Sequence, residues 1–270
     1  MKNLAVRALS GSVFVAIMVF CTVYSLWTLR ILLALLAVLG VKEFLTLVGE
    51  KGLTPQHDWL TALVAAIPLL LGLSISAIVL CLLLALLVFA AARMLGTREN
   101  PIRCLGVQAL ALFYVVFPLL AIWALTQSPL PLNGSAFWVL PLAMYVMLWV
   151  NDTFAYLTGS LLGRHKLIPS VSPGKTWEGC IGGAVFAMGA GALAWHFFPD
   201  AMSLPQWIGM ALVVVIFGTL GDLVESMFKR SLGVKDSGHL IPGHGGILDR
   251  IDSMLFAAPA TVAYLFVVVF

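Results

Sequence analysis

Apolar residues run along this chain in long blocks, and polar residues fall between the blocks rather than alternating with them. Breaks at charges, Gly and Pro divide it into apolar segments near 8–28, 31–48, 59–73, 75–92, 105–126, 137–159, 178–198, 206–228 and 253–270. Each is close to the ~20 residues of helix that cross a ~30 Å hydrocarbon layer. The pattern therefore predicts an all-α, polytopic helical integral membrane protein with about nine transmembrane helices. Continuous rather than alternating runs exclude a transmembrane β-barrel. The stretch from 59 to 92 would make one helix of about 51 Å, too long for one crossing and short for two, so a hairpin turning near 68–74 is expected.

Composition sharpens this picture. Hydrophobic residues make up 61% and charged residues 10%, against roughly 25% charged in a soluble domain, and no soluble fold hides that much apolar surface. With the N-terminus in the cytoplasm and the segments alternating, every Lys and Arg except Arg30 falls on the inner side, as the positive-inside bias requires. Lys2 and Arg7 precede the first apolar run as in a secretory signal, yet no small-x-small cleavage site closes it, and it reads as the first span. Cys21, Cys81, Cys104 and Cys180 lack metal or disulfide spacing and read as core residues. Nucleic acid is not an expected partner.

The chemistry-bearing residues lie in the second half. Asp222, Ser226 and Lys229 stand at i, i+4 and i+7, so a helix continuing through them projects all three from one face. Asp152 repeats the pattern in the sixth segment, sharing a face with Ala155, Tyr156 and Gly159. Ionisable groups at membrane depth are costly and usually face protein or water in a functional role; the bland alternative for Asp152 is a bond that only orients helices. Beyond Lys235 and Asp236 come Pro242, His244, Gly245, Gly246, Asp249, Arg250 and Asp252. Glycines admit phosphate close to backbone N–H groups, and carboxylates can hold a divalent metal that bridges phosphate oxygens. His244 alone is as readily a loop hydrogen-bonder as a ligand. Around Ser172, Lys175 and Thr176, the Gly-Lys-Thr triplet is no P-loop, because Pro169 stands where its first Gly belongs. A phosphate-binding turn and an ordinary helix start both remain open there. Arg93, Arg98 and Arg103 read as topology charges.

The run Ser226-x2-Lys229-Arg230-x4-Lys235-Asp236-x-Gly238-x2-Ile241-Pro242-x-His244-Gly245-Gly246-Ile247-x-Asp249-Arg250-Ile251-Asp252 resembles the signature of the phosphatidate cytidylyltransferases. The 152–159 segment with Tyr156 and the 172–179 turn are similar to two further family segments in the same order. The resemblance implies a metal-dependent transfer of a cytidylyl group from CTP to phosphatidic acid, giving CDP-diacylglycerol and pyrophosphate at the cytoplasmic face of a bacterial inner membrane. It implies that Asp222 and Asp249 are metal-associated acids for Mg2+, with a monovalent cation such as K+ nearby. It places Ser226, Lys229, Lys235 and Arg250 in the catalytic set, and Asp152, Tyr156, Ser172, Lys175, Thr176, Arg230, His244, Gly245 and Gly246 around the substrates. The expected partners are CTP, phosphatidic acid, the bilayer and a second copy of the chain in a homodimer.

Two other readings fit parts of the pattern. A related lipid enzyme, such as a CDP-archaeol synthase or a polyprenol kinase, shares the architecture. An ion or proton transporter would use Asp152 and Asp222 as a relay, but a relay leaves the Gly- and Lys-rich loop unexplained. The sequence divides into an N-terminal scaffold, 1–135, and a C-terminal catalytic region, 136–270, within one structural unit.

Overall fold

A computed structural model describes residues 2–49, 59–96, 101–130, 136–238, 240 and 245–270. Lys51, Arg98 and His244 lie outside the described residues, and Arg93 is described in its backbone only. The elements are α1 (Lys2–Tyr24), α2 (Leu26–Gly49), α3 (Trp59–Leu70), α4 (Ile75–Gly96), α5 (Pro101–Ala111), α6 (Phe117–Leu125), α7 (Val139–Leu162), α8 (Trp177–Phe197), α9 (Leu204–Ser231) and α10 (Leu248–Tyr264). A π-helical segment, Leu112–Val116, joins α5 to α6, and a second, Leu265–Val269, follows α10. Helix takes up most of each predicted apolar segment. Among the described residues, five stretches are long and apolar enough to cross a membrane: Leu26–Gly49, Ile102–Leu125, Trp177–Phe197, Leu204–Ser231 and Leu248–Val269. The architecture is that of a helical membrane protein.

Two details depart from the pattern. The break between the first two helices falls at Ser25, not at Arg30, because Ser25 and Thr28 exchange reciprocal caps: Thr28 N donates to Ser25 Oγ at 3.1 Å and Ser25 N to Thr28 Oγ1 at 3.1 Å. Arg30 therefore lies inside α2 rather than in a loop. Its guanidinium stands 5.0 Å from the Trp27 ring and 4.7 Å from the Trp123 ring, where cation–π attraction offsets part of its desolvation. The second departure is a short antiparallel hairpin, β1 (Lys166–Ile168) with β2 (Ser172–Thr176), where an all-α reading left only a turn. The turn expected near 68–74 is present: α3 ends at Leu70 and α4 begins at Ile75, with Gly72 in the left-handed region at φ 62°.

The chain forms two compact units, Met1–Trp123 with Asp236–Arg250, and Ala124–Lys235 with Ile251–Phe270. In the first, α2 supplies the centre: Leu29, Leu33, Ala37, Val41 and Phe44 recur at helical spacing and are buried. Gly40 lets the π segment close on α2, since a Cβ there would stand 2.8 Å from Val115. The buried Gln108 Nε2 donates to Thr61 Oγ1 at 3.2 Å.

In the second unit, α8 packs on α7 and α9 through small residues, which let helix backbones approach where lipid offers no hydrophobic drive. A Cβ on Gly179 would stand 2.7 Å from the Ala155 carbonyl oxygen, one on Gly183 2.8 Å from that of Asn151, and one on Gly191 2.9 Å from that of Trp207. Phe154 and Phe186 stack with centroids 3.6 Å apart. Gly183→Val is expected to lower stability by about 1–3 kcal/mol through overpacking, read as a drop in the thermal midpoint in detergent; an unchanged midpoint would mean α7 and α8 can separate without loss.

Candidate active site

In the second unit, α9 continues as helix through Asp222, Ser226 and Lys229, so the predicted face exists. Ser226 Oγ donates to Asp222 Oδ1 at 3.2 Å, and Lys175 Nζ stands 2.6 Å from Asp222 Oδ2. Lys175 comes from β2. The hairpin delivers it because Thr176, the next residue, is the N-cap of α8, accepting from Gly179 N at 3.1 Å. Glu178 closes the same corner: its carboxylate accepts from Arg164 N at 3.1 Å and pairs with His165 Nδ1 at 2.6 Å.

Asp152 on α7 accepts from Asn151 Nδ2 at 3.2 Å and lies within electrostatic reach of Lys175 and Asp222. From α10, Asp252 lies within reach of Asp222, Glu225 and Asp152. Gly221 permits that approach, since a Cβ there would sit 2.5 Å from the Asp252 carbonyl oxygen. Lys229 does not stand open toward a substrate. Its Nζ is 2.6 Å from Glu225 Oε2, one helical turn away, and Glu225 is only 1% exposed. Lys229 is thus the counter-ion of a buried acid.

In the first unit, two carboxylates gather Ser237 with Gly246, Ile247 and Leu248. Asp249 Oδ2 accepts from Ser237 N at 2.9 Å, Ser237 Oγ at 2.9 Å and Gly246 N at 2.8 Å. Glu43, on α2, accepts from Ile247 N at 2.8 Å and Leu248 N at 3.1 Å, and Ser237 Oγ also contacts it. Gly245 sits at φ 80°, and a Cβ on it would stand 2.5 Å from Asp249 Oδ2. Its place in the signature is explained by backbone conformation and crowding before any phosphate is invoked.

The sequence-derived set is thus only partly drawn together. Asp152, Lys175, Asp222 and Ser226 form one polar group. Thr176 is buried and occupied as a helix cap. Tyr156 is 75% exposed on α7. Ser172 lies in the hairpin opposite Ile168. Arg230 Nη1 donates to the Val234 carbonyl at 3.2 Å, and Lys235 is exposed. The Arg250 Nε atom is buried without a hydrogen-bond partner among the described residues.

The profile of the cytidylyltransferase family matches residues 5–268. The chain belongs to that family. A phosphatidate cytidylyltransferase of Staphylococcus aureus (strain COL) is 52% identical over 117 residues, 43% of this chain and 44% of the relative. One from Haemophilus influenzae is 46% identical over 122 residues, 44% of this chain and 42% of the relative. One from Staphylococcus haemolyticus is 50% identical over 117 residues. The aligned segment thus spans less than half of the length of the curated relatives.

Nucleotide chemistry in a cytidylyltransferase raises the question of a metal. Among the described residues, no three His, Cys, Asp or Glu side chains converge as a ready-made cage. Magnesium needs none: it keeps several waters and takes one or two carboxylates together with substrate phosphates. The donor set fits that habit, since Asp152, Asp222 and Asp252 lie within electrostatic reach of one another, with Lys175 on Asp222. Glu225 and Glu43 were missed in the sequence. Glu225 carries a signal, its i, i+4 spacing to Lys229; Glu43, beside Lys42 in an apolar helix, carries none.

Proposed function

We propose that the chain transfers the cytidylyl group of CTP to phosphatidic acid, producing CDP-diacylglycerol and pyrophosphate. The observation that carries this reading is Asp222 held between Lys175 and Ser226 beside Asp152 and Asp252, in a chain whose relatives are named phosphatidate cytidylyltransferases. A phosphate monoester has a second pKa near 6, so phosphatidate is already an anionic nucleophile at neutral pH and needs no general base. One of its oxygens forms a bond to the α-phosphorus of CTP, the bond from that phosphorus to the bridging oxygen breaks, and pyrophosphate leaves with the electron pair. The obstacle is charge repulsion between two phosphates, which cationic groups and alignment overcome.

Asp222 and Asp152 would hold Mg2+, which when bound neutralises and orients phosphate oxygens. For Asp249 the same role is proposed on the family resemblance. Lys175, 2.6 Å from Asp222, would turn to a phosphate oxygen as the cluster fills. Arg250, whose Nε has no hydrogen-bond partner among the described residues, would be a further phosphate contact. The proposed setting is a bacterial inner membrane with nine crossings, the N-terminus and the site on the cytoplasmic side, supported by the bias of Lys and Arg among the connecting segments.

Purified protein given phosphatidic acid, magnesium and CTP labelled at the α-phosphate is expected to move label into lipid, with one pyrophosphate released per lipid labelled. Transfer of the γ-phosphate alone would replace this reading with a lipid kinase, and label entering only an ether-linked or polyprenyl acceptor would change the substrate class.

A further inference from the structure

The geometry points to Glu43 as a positioning residue of the cytidylyl-transfer site, acting from the helix that the sequence assigns to the scaffold; the inference rests on the proposed function above. Glu43 lies in α2 between the buried Val41 and Phe44, within a stretch apolar enough to cross a membrane. A carboxylate there is costly unless it is engaged, and this one is engaged on both oxygens. Oε2 accepts from Ile247 N at 2.8 Å, while Oε1 accepts from Leu248 N at 3.1 Å and contacts Ser237 Oγ. Ile247 immediately precedes α10 and Leu248 opens it, where the first backbone N–H groups have no acceptor within their own helix. Glu43 supplies that acceptor, with a negative charge at the end of the helix that favours one.

The same carboxylate accounts for two glycines of the signature. A Cβ on Gly246 would collide with Glu43 Oε1 and with Ser237 Oγ, and one on Gly238 would stand 2.9 Å from Glu43 Oε2. Ser237 joins the two acids, since its Oγ touches both Glu43 and Asp249. Glu43 thereby fixes both flanks of the signature loop, at Ser237 and at Ile247, and with them the position of Asp249. Glu43 itself touches no substrate in this scheme: its effect passes through Asp249, Gly246 and the start of α10.

The test compares Glu43→Gln, Glu43→Asp and Glu43→Ala in the full chain, purified in detergent. Glutamine preserves volume but offers one acceptor and an NH2 group, which would face a backbone N–H donor against donor. A volume-filling role would make Gln the mildest change. The positioning role makes Gln about as damaging as Ala, with a loss of roughly 10–100-fold in kcat/KM for CTP, and makes Asp, which keeps both acceptors, the best of the three. Amide hydrogen exchange read on peptides covering 245–250 is expected to rise in Gln and Ala while peptides from α8 stay protected. Wild-type kinetics and unchanged exchange in Glu43→Gln would overturn the inference, as would exchange that rises equally in every helix. If the wild type transfers nothing from CTP, the functional reading falls, and the local exchange still decides whether Glu43 holds the loop.

Discussion

Asp222→Asn is expected to lose on the order of 10²–10³-fold in cytidylyl transfer, the scale seen when one preorganised electrostatic contact is removed, while remaining folded in detergent. Asparagine is nearly isosteric, and its carbonyl oxygen can still accept from Ser226, whose Oγ lies 3.2 Å from Asp222 Oδ1. What disappears is the charge. Lys175 Nζ, now 2.6 Å from Asp222 Oδ2, would meet either a neutral oxygen or an NH2 group. Magnesium titrations should show a higher concentration for half-maximal rate. The measurement is α-label from CTP recovered in lipid, with the thermal midpoint as the check on folding. Transfer at the parent rate would take Asp222 out of the chemistry.

Lys229→Met is expected to destabilise by about 3–5 kcal/mol, the scale for removing one partner of a buried ion pair. Glu225, 1% exposed, has its Oε2 only 2.6 Å from Lys229 Nζ. The double variant Glu225→Gln with Lys229→Met should be milder than the lysine change alone, since both charges then leave together, and the difference measures their coupling. Unfolding midpoints of the four proteins in mixed micelles provide the comparison. If Lys229→Met keeps the parent midpoint and instead weakens CTP, the lysine belongs to the substrate after all.

These two side chains show where sequence reading reaches its limit. The i, i+4, i+7 spacing of Asp222, Ser226 and Lys229 correctly places them on one helix, because helical periodicity is local. It does not tell which neighbour takes each charge: Lys229 Nζ stands 2.6 Å from Glu225 Oε2. The apolar blocks locate every helix for the same local reason, yet the α1 to α2 break slips to Ser25, where a Ser-Thr capping pair lies hidden inside an apolar run. The β1–β2 hairpin is too short to show an alternating pattern. Glu43 is the opposite case: an acid beside a lysine near a helix end looks like an interfacial charge, and only the fold reveals what it binds.

The partners of Glu43 lie far along the chain: Ile247 is 204 residues downstream. At ~5–20 residues per second, a ribosome makes the glutamate on the order of 10–40 s before the amides that satisfy it. Through that interval the early helices must be threaded into lipid with an unmatched carboxylate among them, so the newborn N-terminal bundle can only be provisional. Its last piece arrives with the residues just ahead of α10, so the first-made part of the molecule is locked only once more than two hundred further residues have been added.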